Sequence, residues 1–335
     1  MEVWILFNEE IESASAEAFE VRRFMSEGRD MGIDVKVFHP EQFDLLVTDE
    51  DRESVLIDGV PMPLPDYVLP RCYVIGSGYF SLAVVRQLER MGVRVFNDSN
   101  SIEMVADKMH THQVLAESKL PTPTTMLAKF PIDMDLVERT IGFPVVVKTL
   151  LGVNGTGVFL IDNRDQFEDL MSFMEQTSPN TQLIFQKYIA MSHGRDLRLF
   201  VVDGEVIASM ERRANDGGFK ANYTQGAKVV EFFPDEEAKA LAIQCAEILN
   251  LQVAGIDLLY DKNGYTICEA NSFPGFKGLE SCCNVNVPRE IFRAMQQRIG
   301  AEYGAAQSAG IVLDAPANNG SAMAADAGDA QAASN

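Results

Sequence analysis

Positive charge is scarce in this chain. Lysine and arginine number 28 against 49 aspartates and glutamates, a formal net charge of −21 at pH 7. A protein that coats nucleic acid carries a basic face, so this balance excludes that class but leaves room for a local basic cleft around a small anion. Long apolar runs are missing too: no stretch approaches the roughly 18 apolar residues of a membrane span, so no membrane partner is expected. The opening MEVWILFNEE has no basic start, its apolar run is short and two glutamates follow it. It reads as a first β-strand rather than an export signal, and a cytoplasmic location is the expectation. Without export, the Asn-X-Ser/Thr patterns at Asn97 and Asn222 carry no weight as glycosylation sites. Cys72, Cys245, Cys268, Cys282 and Cys283 form no CxxC spacing, so reduced thiols are the simplest account, and the vicinal pair Cys282–Cys283 reads as loop or core filling.

Two nucleotide motifs are also absent. A P-loop places glycines before GK[ST], with the lysine opening a helix, and a Rossmann turn reads GxGxxG. The stretch VVVKTLLGVNGTGVFLI (Val145–Ile161) has Lys148 first, at the end of an apolar run, then GxxGxG, then another apolar run. This is a hairpin with a glycine-rich tip. Its backbone N–H groups can fold over phosphates while Lys148 neutralises them from below. A surface lysine beside an ordinary turn is an equally good account of this stretch taken alone.

What is present is enough for two or three globular domains: 335 residues, 47% hydrophobic and 23% charged. The first hundred residues alternate EVWILF, a helical pattern ending at Gly28 or Gly32, DVKVFHP, the strand-like ESVLIDGVPMPLPDYVLPR, the amphipathic YFSLAVVRQLERMG and VRVFND. That order predicts a parallel sheet with crossover helices. One or two helices follow in SNSIEMVADKMHTHQVLAESK, stopped by Pro121 and Pro123. His110 and His112 lie on them about 200° apart at ~3.6 residues per turn, so they share no metal and read as surface or satisfied histidines. Strands are expected near TTMLAK, PVVVK, VFLI and TQLIFQKYI, with helices near MDLVERTIG and DQFEDLMSFMEQ. Two hairpins are expected further on, one turning at Asp203–Gly204 and one at Asn263–Gly264, separated by a helix in DEEAKALAIQCAEILNL. The last helix is PREIFRAMQQRIGAEY, and an Ala/Gly/Asn/Ser-rich tail follows from about Ser308.

The second hairpin bears metal-type chemistry. Glu269 and Asn271 stand two apart on one strand, so they face the same way, and the turn brings Asp257 opposite them. Oxygen donors of this kind suit Mg²⁺. A solvated polar edge is the alternative, but the flanking Ile256, Leu258, Ile267, Cys268 and Ala270 are apolar, and buried acids need a counter-charge.

The pieces ADKMHTHQVLAESKLPTP, PVVVKTLLGVNGTGV, QLIFQKYI, GRDLRLFVVDGEVIASMERRANDGGFKAN and VAGIDLLYDKNGYTICEANSFPGFKGLE, in this order, resemble the ATP-grasp superfamily and within it the RimK-like glutamate ligases, over roughly residues 1–300. The resemblance implies an ATP-grasp fold, α+β in its ATP-binding half, preceded by an N-terminal parallel-sheet α/β domain. It implies domains at residues 1–105, 106–182 (a small lid subdomain) and 183–305 (a large subdomain with the metal site), with a disordered tail at 306–335. ATP would be held by Lys108 and Lys148, covered by the loop with Gly155 and Gly157, met by Lys187, Tyr188 and Ile189 at a hinge strand, and flanked by Asp196, Lys220, Ala221 and Asn222. The family often has glutamate where this chain has Lys187, a change that a backbone contact tolerates. Asp257, Glu269 and Asn271 match the ligands of two Mg²⁺ ions, for which Mn²⁺ is a chemical substitute.

The implied reaction is ATP-dependent carboxylate–amine ligation through an acyl phosphate, releasing ADP and phosphate. Of Arg212 and Arg198, Arg212 is the favoured contact to the substrate carboxylate or the tetrahedral intermediate. Glutamate is the favoured amino acid. The acceptor is a small carboxylate, a coenzyme tail or a protein C-terminus, and assembly as a homo-oligomer is left open. The competing readings are another ATP-grasp ligase joining two amino acids, and a nucleotide-binding module without turnover.

Overall fold

The computed structural model describes residues 1–47, 55–72, 78–150, 157–215, 217–221 and 226–308. In the N-terminal part, β1 (Glu2–Phe7), α1 (Ala16–Met31), β2 (Asp34–Phe38), β3 (Phe43–Leu45), β4 (Val55–Ile57), β5 (Val60–Pro61), β6 (Tyr67–Arg71), α2 (Tyr79–Arg90) and β7 (Arg94–Val95) follow one another. A parallel sheet runs β2-β1-β6-β7, and β3-β4-β5 form a small antiparallel sheet beside it. The strand pleat divides β1 between two cores. Val3, Ile5 and Phe7 pack with Val21 and Phe24 of α1, whereas Trp4 and Leu6 pack with Val84, Val85 and Leu88 of α2.

Two helices follow, α3 (Ser99–Ala106) and α4 (Lys108–Glu117). Asp107 separates them: its carboxylate accepts from Met109 N and His110 N, which ends one helix, starts the next and leaves Lys108 in the first turn. Next come β8 (Thr125–Ala128), α5 (Met134–Thr140), β9 (Val145–Thr149), β10 (Val158–Ile161), α6 (Arg164–Thr177) and β11 (Leu183–Lys187). They make an antiparallel sheet ordered β10-β9-β11-β8, with α5 and α6 on one face around Val137, Val147, Phe167 and Phe185. The sequence boundary at residue 183 therefore needs correction. β11 hydrogen-bonds with β8 and β9 of the small sheet, because strand partners are set by register across the sheet and not by order in the chain.

The large sheet, ordered β14-β13-β12-β15-β16, is antiparallel. It is built from β12 (Arg195–Val202), β13 (Glu205–Arg213), β14 (Lys228–Glu231), β15 (Val253–Asp261) and β16 (Gly264–Asn271). The last hairpin turns on Lys262–Asn263, one residue earlier than expected, since Gly264 at φ +107° already pairs with Asp261. Helix α7 (Glu236–Ile248) covers Leu197, Leu199, Ile256 and Leu258 on one face. On the other face Phe200, Val202 and Val253 join one core with Phe24 and Phe96 of the N-terminal part and with α8 (Lys277–Cys282) and α9 (Val287–Ser308). Helix α9 continues past residue 305, where the compact part was expected to stop, and residues 309–335 lie outside the described residues.

One buried side chain pins the N-terminal part to the large sheet. Asn97 is fully buried; its amide nitrogen donates to Val253 O (2.8 Å) and Ser272 O (2.7 Å), and its oxygen accepts from Gln252 N (2.7 Å) and Val253 N (2.9 Å). All its bonding capacity is used, which is what burial of an amide requires. Replacing Asn97 by alanine strands backbone groups in a dry interface. We expect a loss of about 3 kcal/mol or more in urea unfolding, since each buried group left unpaired costs about 1–3 kcal/mol. A loss below about 1 kcal/mol would show that the pin is dispensable.

Candidate active site

Asp257, Glu269 and Asn271 share one face by register, and a β-bulge lies directly beside them. Asp257 pairs with Glu269 and Gly255 with Asn271, but Leu258 pairs with Ile267, leaving Cys268 as the extra residue. The bulge shifts the pleat phase. Ile267 and Ala270, three apart, both lie in the core under α7, while Cys268 and Glu269 line a cleft. Without it, strict alternation would send Ile267 and Glu269 to the same face.

Asp257 is almost fully buried and is held by two arginines. Arg198 Nε and Nη2 donate to its two oxygens at 2.7 and 2.8 Å, and Arg212 Nη2 donates at 2.8 Å. Arg212 Nε also donates to Asp196 at 2.6 Å. The register explains the meeting: Arg198 pairs across strands with Asp257, and Asp196 with Arg212, so all four share one face. Burial alone would push Asp257 upward. The two guanidiniums outweigh it and hold this carboxyl below the usual range. The adjacent arginines divide by the pleat of β13, Arg212 being buried and Arg213 exposed.

Above this row lies a cleft between the small and large sheets. Lys108 from α4, Lys148 from β9, Ile184 from β11 and Cys268, Glu269 and Ala270 from β16 line it together with His112. Lys108 Nζ stands 3.7 Å from Glu269 Oε1. Lys148 Nζ donates to Gln186 Oε1 at 2.8 Å, and the Gln186 amide nitrogen meets His112 Nε2 at 3.0 Å. The other ring nitrogen of His112 meets Thr122 Oγ1 at 2.5 Å. His112 is thus a satisfied buried histidine, whereas His110 is exposed. Gln186 is a residue the sequence reading passed over. Its buried position between Phe185 and Lys187, facing Lys148 from the neighbouring strand, is set only by the pairing of β11 with β9.

The remaining candidates are not among the residues that line this cleft. Lys187 ends β11 and is exposed; Tyr188 and Ile189 follow, with Tyr188 Oη 2.5 Å from His193 Nδ1. Lys220 Nζ lies 5.8 Å from the ring centre of Phe159 on β10, and Ala221 is buried. Gly157 has φ +74°, and a Cβ there would stand 2.7 Å from Thr149 Oγ1, so the loop's return to β10 requires glycine. Gly155 and Asn222 lie outside the described residues. Cys282 and Cys283 carry free thiols 3.7 Å apart.

Among the described residues no group of three His, Cys, Asp or Glu side chains converges as a ready-made metal cage. The chemistry of Glu269 and Asn271 nevertheless fits a hard cation. Asn271 donates its amide nitrogen to Gly255 O at 3.1 Å, which leaves its oxygen as the outward donor, and Glu269 presents a carboxylate to the cleft. Asp257 fits less simply, because both its oxygens already accept from arginine.

Comparison with known proteins bears on the family and the fold. The profile of the RimK pre-ATP-grasp domain matches residues 1–102, and that of the RimK-like ATP-grasp domain matches residues 105–295. A probable alpha-L-glutamate ligase of Legionella pneumophila (strain Corby) is 33% identical over 280 residues, covering 83% of this chain and 91% of its own. Another, of Hydrogenovibrio crunogenus, is 33% identical over 290 residues, covering 85% and 94%. Among solved structures, the ATP-grasp ligase PsnB complexed with minimal precursor superposes with a TM-score of 0.68 at 18% identity, covering 88% of this chain and 98% of its own. D-alanine–D-alanine ligase from Bacillus anthracis gives 0.64 at 14%, covering 92% and 99%. At these identities the structures speak for the fold alone.

The His112 environment is directly measurable. Burial, and after it the nearby Lys148 and Lys108, lower this imidazole from 6.5 to about 4. The unfolded chain then binds a proton that the folded one refuses, so His112 costs stability as pH falls from 6.5 toward 4. In an NMR titration the His112 ring signals should stay fixed down to about pH 5. A midpoint near 6.5 would contradict the buried neutral ring.

Proposed function

The chain belongs to the RimK-like ATP-grasp family and is an ADP-forming ligase of C–N bonds, and from that premise we propose that it joins glutamate, or a similar amino acid, to a carboxylate acceptor through an acyl phosphate. The observation that carries the proposal is the cleft itself, where Lys108, Lys148 and Glu269 converge beside the row of Arg198, Asp257, Arg212 and Asp196.

The electrostatic problem is to bring a carboxylate onto a polyanion. Lys108 and Lys148 hold phosphate oxygens and offset the charge that builds up on the transferred group, with no proton transfer required. Glu269 and Asn271 would hold Mg²⁺, which would supply further positive charge against the phosphates, while Asp257, with both oxygens taken by arginine, would join them only by giving up part of that pairing. The acceptor carboxylate oxygen bonds to the γ-phosphorus as the bond to ADP breaks. The amine nitrogen then bonds to the acyl carbon, loses a proton, and phosphate leaves. An arginine steadies the oxygen that becomes negative in between. The exposures, 13% for the Arg198 side chain against 5% for that of Arg212, favour Arg198 for this contact over the Arg212 expected from sequence. Arg212 is enclosed by its two aspartates and acts by holding Asp257 in place.

No described helix is long and apolar enough to cross a membrane. We propose that the enzyme acts in the cytoplasm on small molecules or peptide termini.

Product analysis tests the reaction class. ATP with the correct acid and hydroxylamine, but no amine, should yield a hydroxamate, ADP and orthophosphate. AMP and pyrophosphate would instead indicate adenylation and overturn the acyl-phosphate reading. A screen of amino acids and acids for ATP-dependent mass gain would identify the pair.

Two substitutions separate the acidic residues. Glu269→Gln removes a charge from a side chain that is 41% exposed. Turnover should fall more than ~100-fold, the scale of a lost transition-state electrostatic contact, with stability changed by no more than about 0.5 kcal/mol. Asp257→Asn leaves two buried guanidiniums short of a counter-charge and should lower stability by about 3–5 kcal/mol, seen as a lower urea midpoint. A folded Glu269→Gln protein with near-parental turnover would remove Glu269 from the site.

A further inference from the structure

We propose that Gln186, His112 and Thr122 form a positioning relay that fixes the Lys148 ammonium in the cleft and ties it to the bulged strand carrying Glu269. The proposal rests on the reading of Lys148 as a phosphate contact and adds how that lysine is held.

The hydrogen bonds have a single consistent direction. Lys148 Nζ can only donate, so Gln186 presents its oxygen, at 2.8 Å. The Gln186 amide nitrogen then faces His112 Nε2 (3.0 Å) and Thr125 Oγ1 (3.0 Å), and Thr125 itself donates to Pro123 O (2.8 Å). His112 Nε2 must accept, so its proton sits on Nδ1 and goes to Thr122 Oγ1. Thr122 in turn donates to Ile267 O at 3.4 Å, the residue beside the extra Cys268 of the bulge. The backbone supports the same link, since Ile267 N donates to Pro121 O at 2.8 Å. Reversing Gln186 would point its NH₂ at an ammonium that can only donate, so the contact with Lys148 sets one orientation. Gln186 is 3% exposed and His112 7%, and neither side chain is placed to serve solvent.

The relay spans both sheets: Lys148 and Gln186 stand on the small sheet, Ile267 on the large one, and α4 with its following segment supplies the joint. A lysine has four rotatable bonds and loses much freedom on docking a phosphate. Spending one of its three N–H groups on Gln186 fixes its direction beforehand and leaves two for phosphate oxygens. These three are positioning residues, since they act through Lys148 and not on the nucleotide.

A double-mutant cycle distinguishes this from a structural role. The probe is the Mg²⁺ complex of a non-hydrolysable ATP analogue, measured by calorimetry, alongside KM and kcat for ATP. Gln186→Leu should weaken analogue binding about tenfold, the scale of a hydrogen bond to a charged group, and raise KM more than it lowers kcat. His112→Leu, an apolar change in a buried position, should act in the same direction and supplies the test if Gln186→Leu folds poorly. In a Lys148→Ala background neither change should weaken binding further, because the relay then has nothing to position. If Lys148→Ala weakens binding and the relay variants still add their full loss to it, the relay is structural and the proposal fails alone. If Lys148→Ala binds as the parent does, the phosphate reading of Lys148 fails and takes the proposal with it.

Discussion

The interaction on which the site depends is the clamp of Arg198 and Arg212 on Asp257. A carboxylate this buried is costly without a partner, and two guanidiniums in this setting are equally costly without an anion. Together with Asp196 they form a charge-balanced set of two acids and two bases on one sheet face. The neutral row lets the polar end of this face sit beside a continuous apolar core. Two residues along β12 from Arg198, Phe200 already packs with the N-terminal part.

That arrangement divides labour between sheets. The large sheet supplies acids and arginines, and the small sheet supplies Lys148 from a strand whose neighbour carries Gln186. Helix α4 places Lys108 at its first turn, directly after the capping Asp107, so one loop residue both starts a helix and sets a cation over Glu269. The cleft lining sets Lys108 and Lys148 against Glu269 alone, so it is locally basic within a protein of net charge −21, and Asp257 and Asp196 beside it are already paired with arginine. Local charge, and not the sum over the chain, decides whether a polyanion is accommodated.

The N-terminal part is joined to this machinery more firmly than a domain on a linker. Its core is continuous with that of α8 and α9, where Phe24 meets Phe276 and Phe292 edge-on at 5.6 and 5.7 Å. Buried Glu20 of α1 accepts from the backbone of Phe276 and Lys277 and pairs with Arg71 at the end of β6. Arg71 also donates to Pro274 O at 3.2 Å. The segment after Asn271 is thus held by the N-terminal sheet, and close approach of Pro274 to β15 requires the bare backbone of Gly255, where a Cβ would stand 2.6 Å from the proline ring. The wall next to the metal-type residues is consequently built by two parts of the chain together.

Much of this was legible in the order of residues, for reasons that are local. Alternation and helical periodicity gave most of the strands and helices, though not β3, β14 or α8, Asp203–Gly204 gave its turn, and Glu269 and Asn271, spaced by two on an apolar strand, share one face. What stayed hidden is non-local. The bulge at Cys268 that moves Ile267 out of phase with Glu269 depends on how β16 registers against β15. The assignment of β11 to the small sheet, the pairing of both arginines with Asp257, and the contact of Gln186 with Lys148 and His112 join residues between 38 and 74 positions apart or paired only by register. No spacing rule within a strand or helix reaches that far. Sequence by itself determined which chemistry is present and on which elements; tertiary structure decided which charges neutralise each other and which remain to meet a ligand, because pairing energy depends on distance across strands and not along the chain.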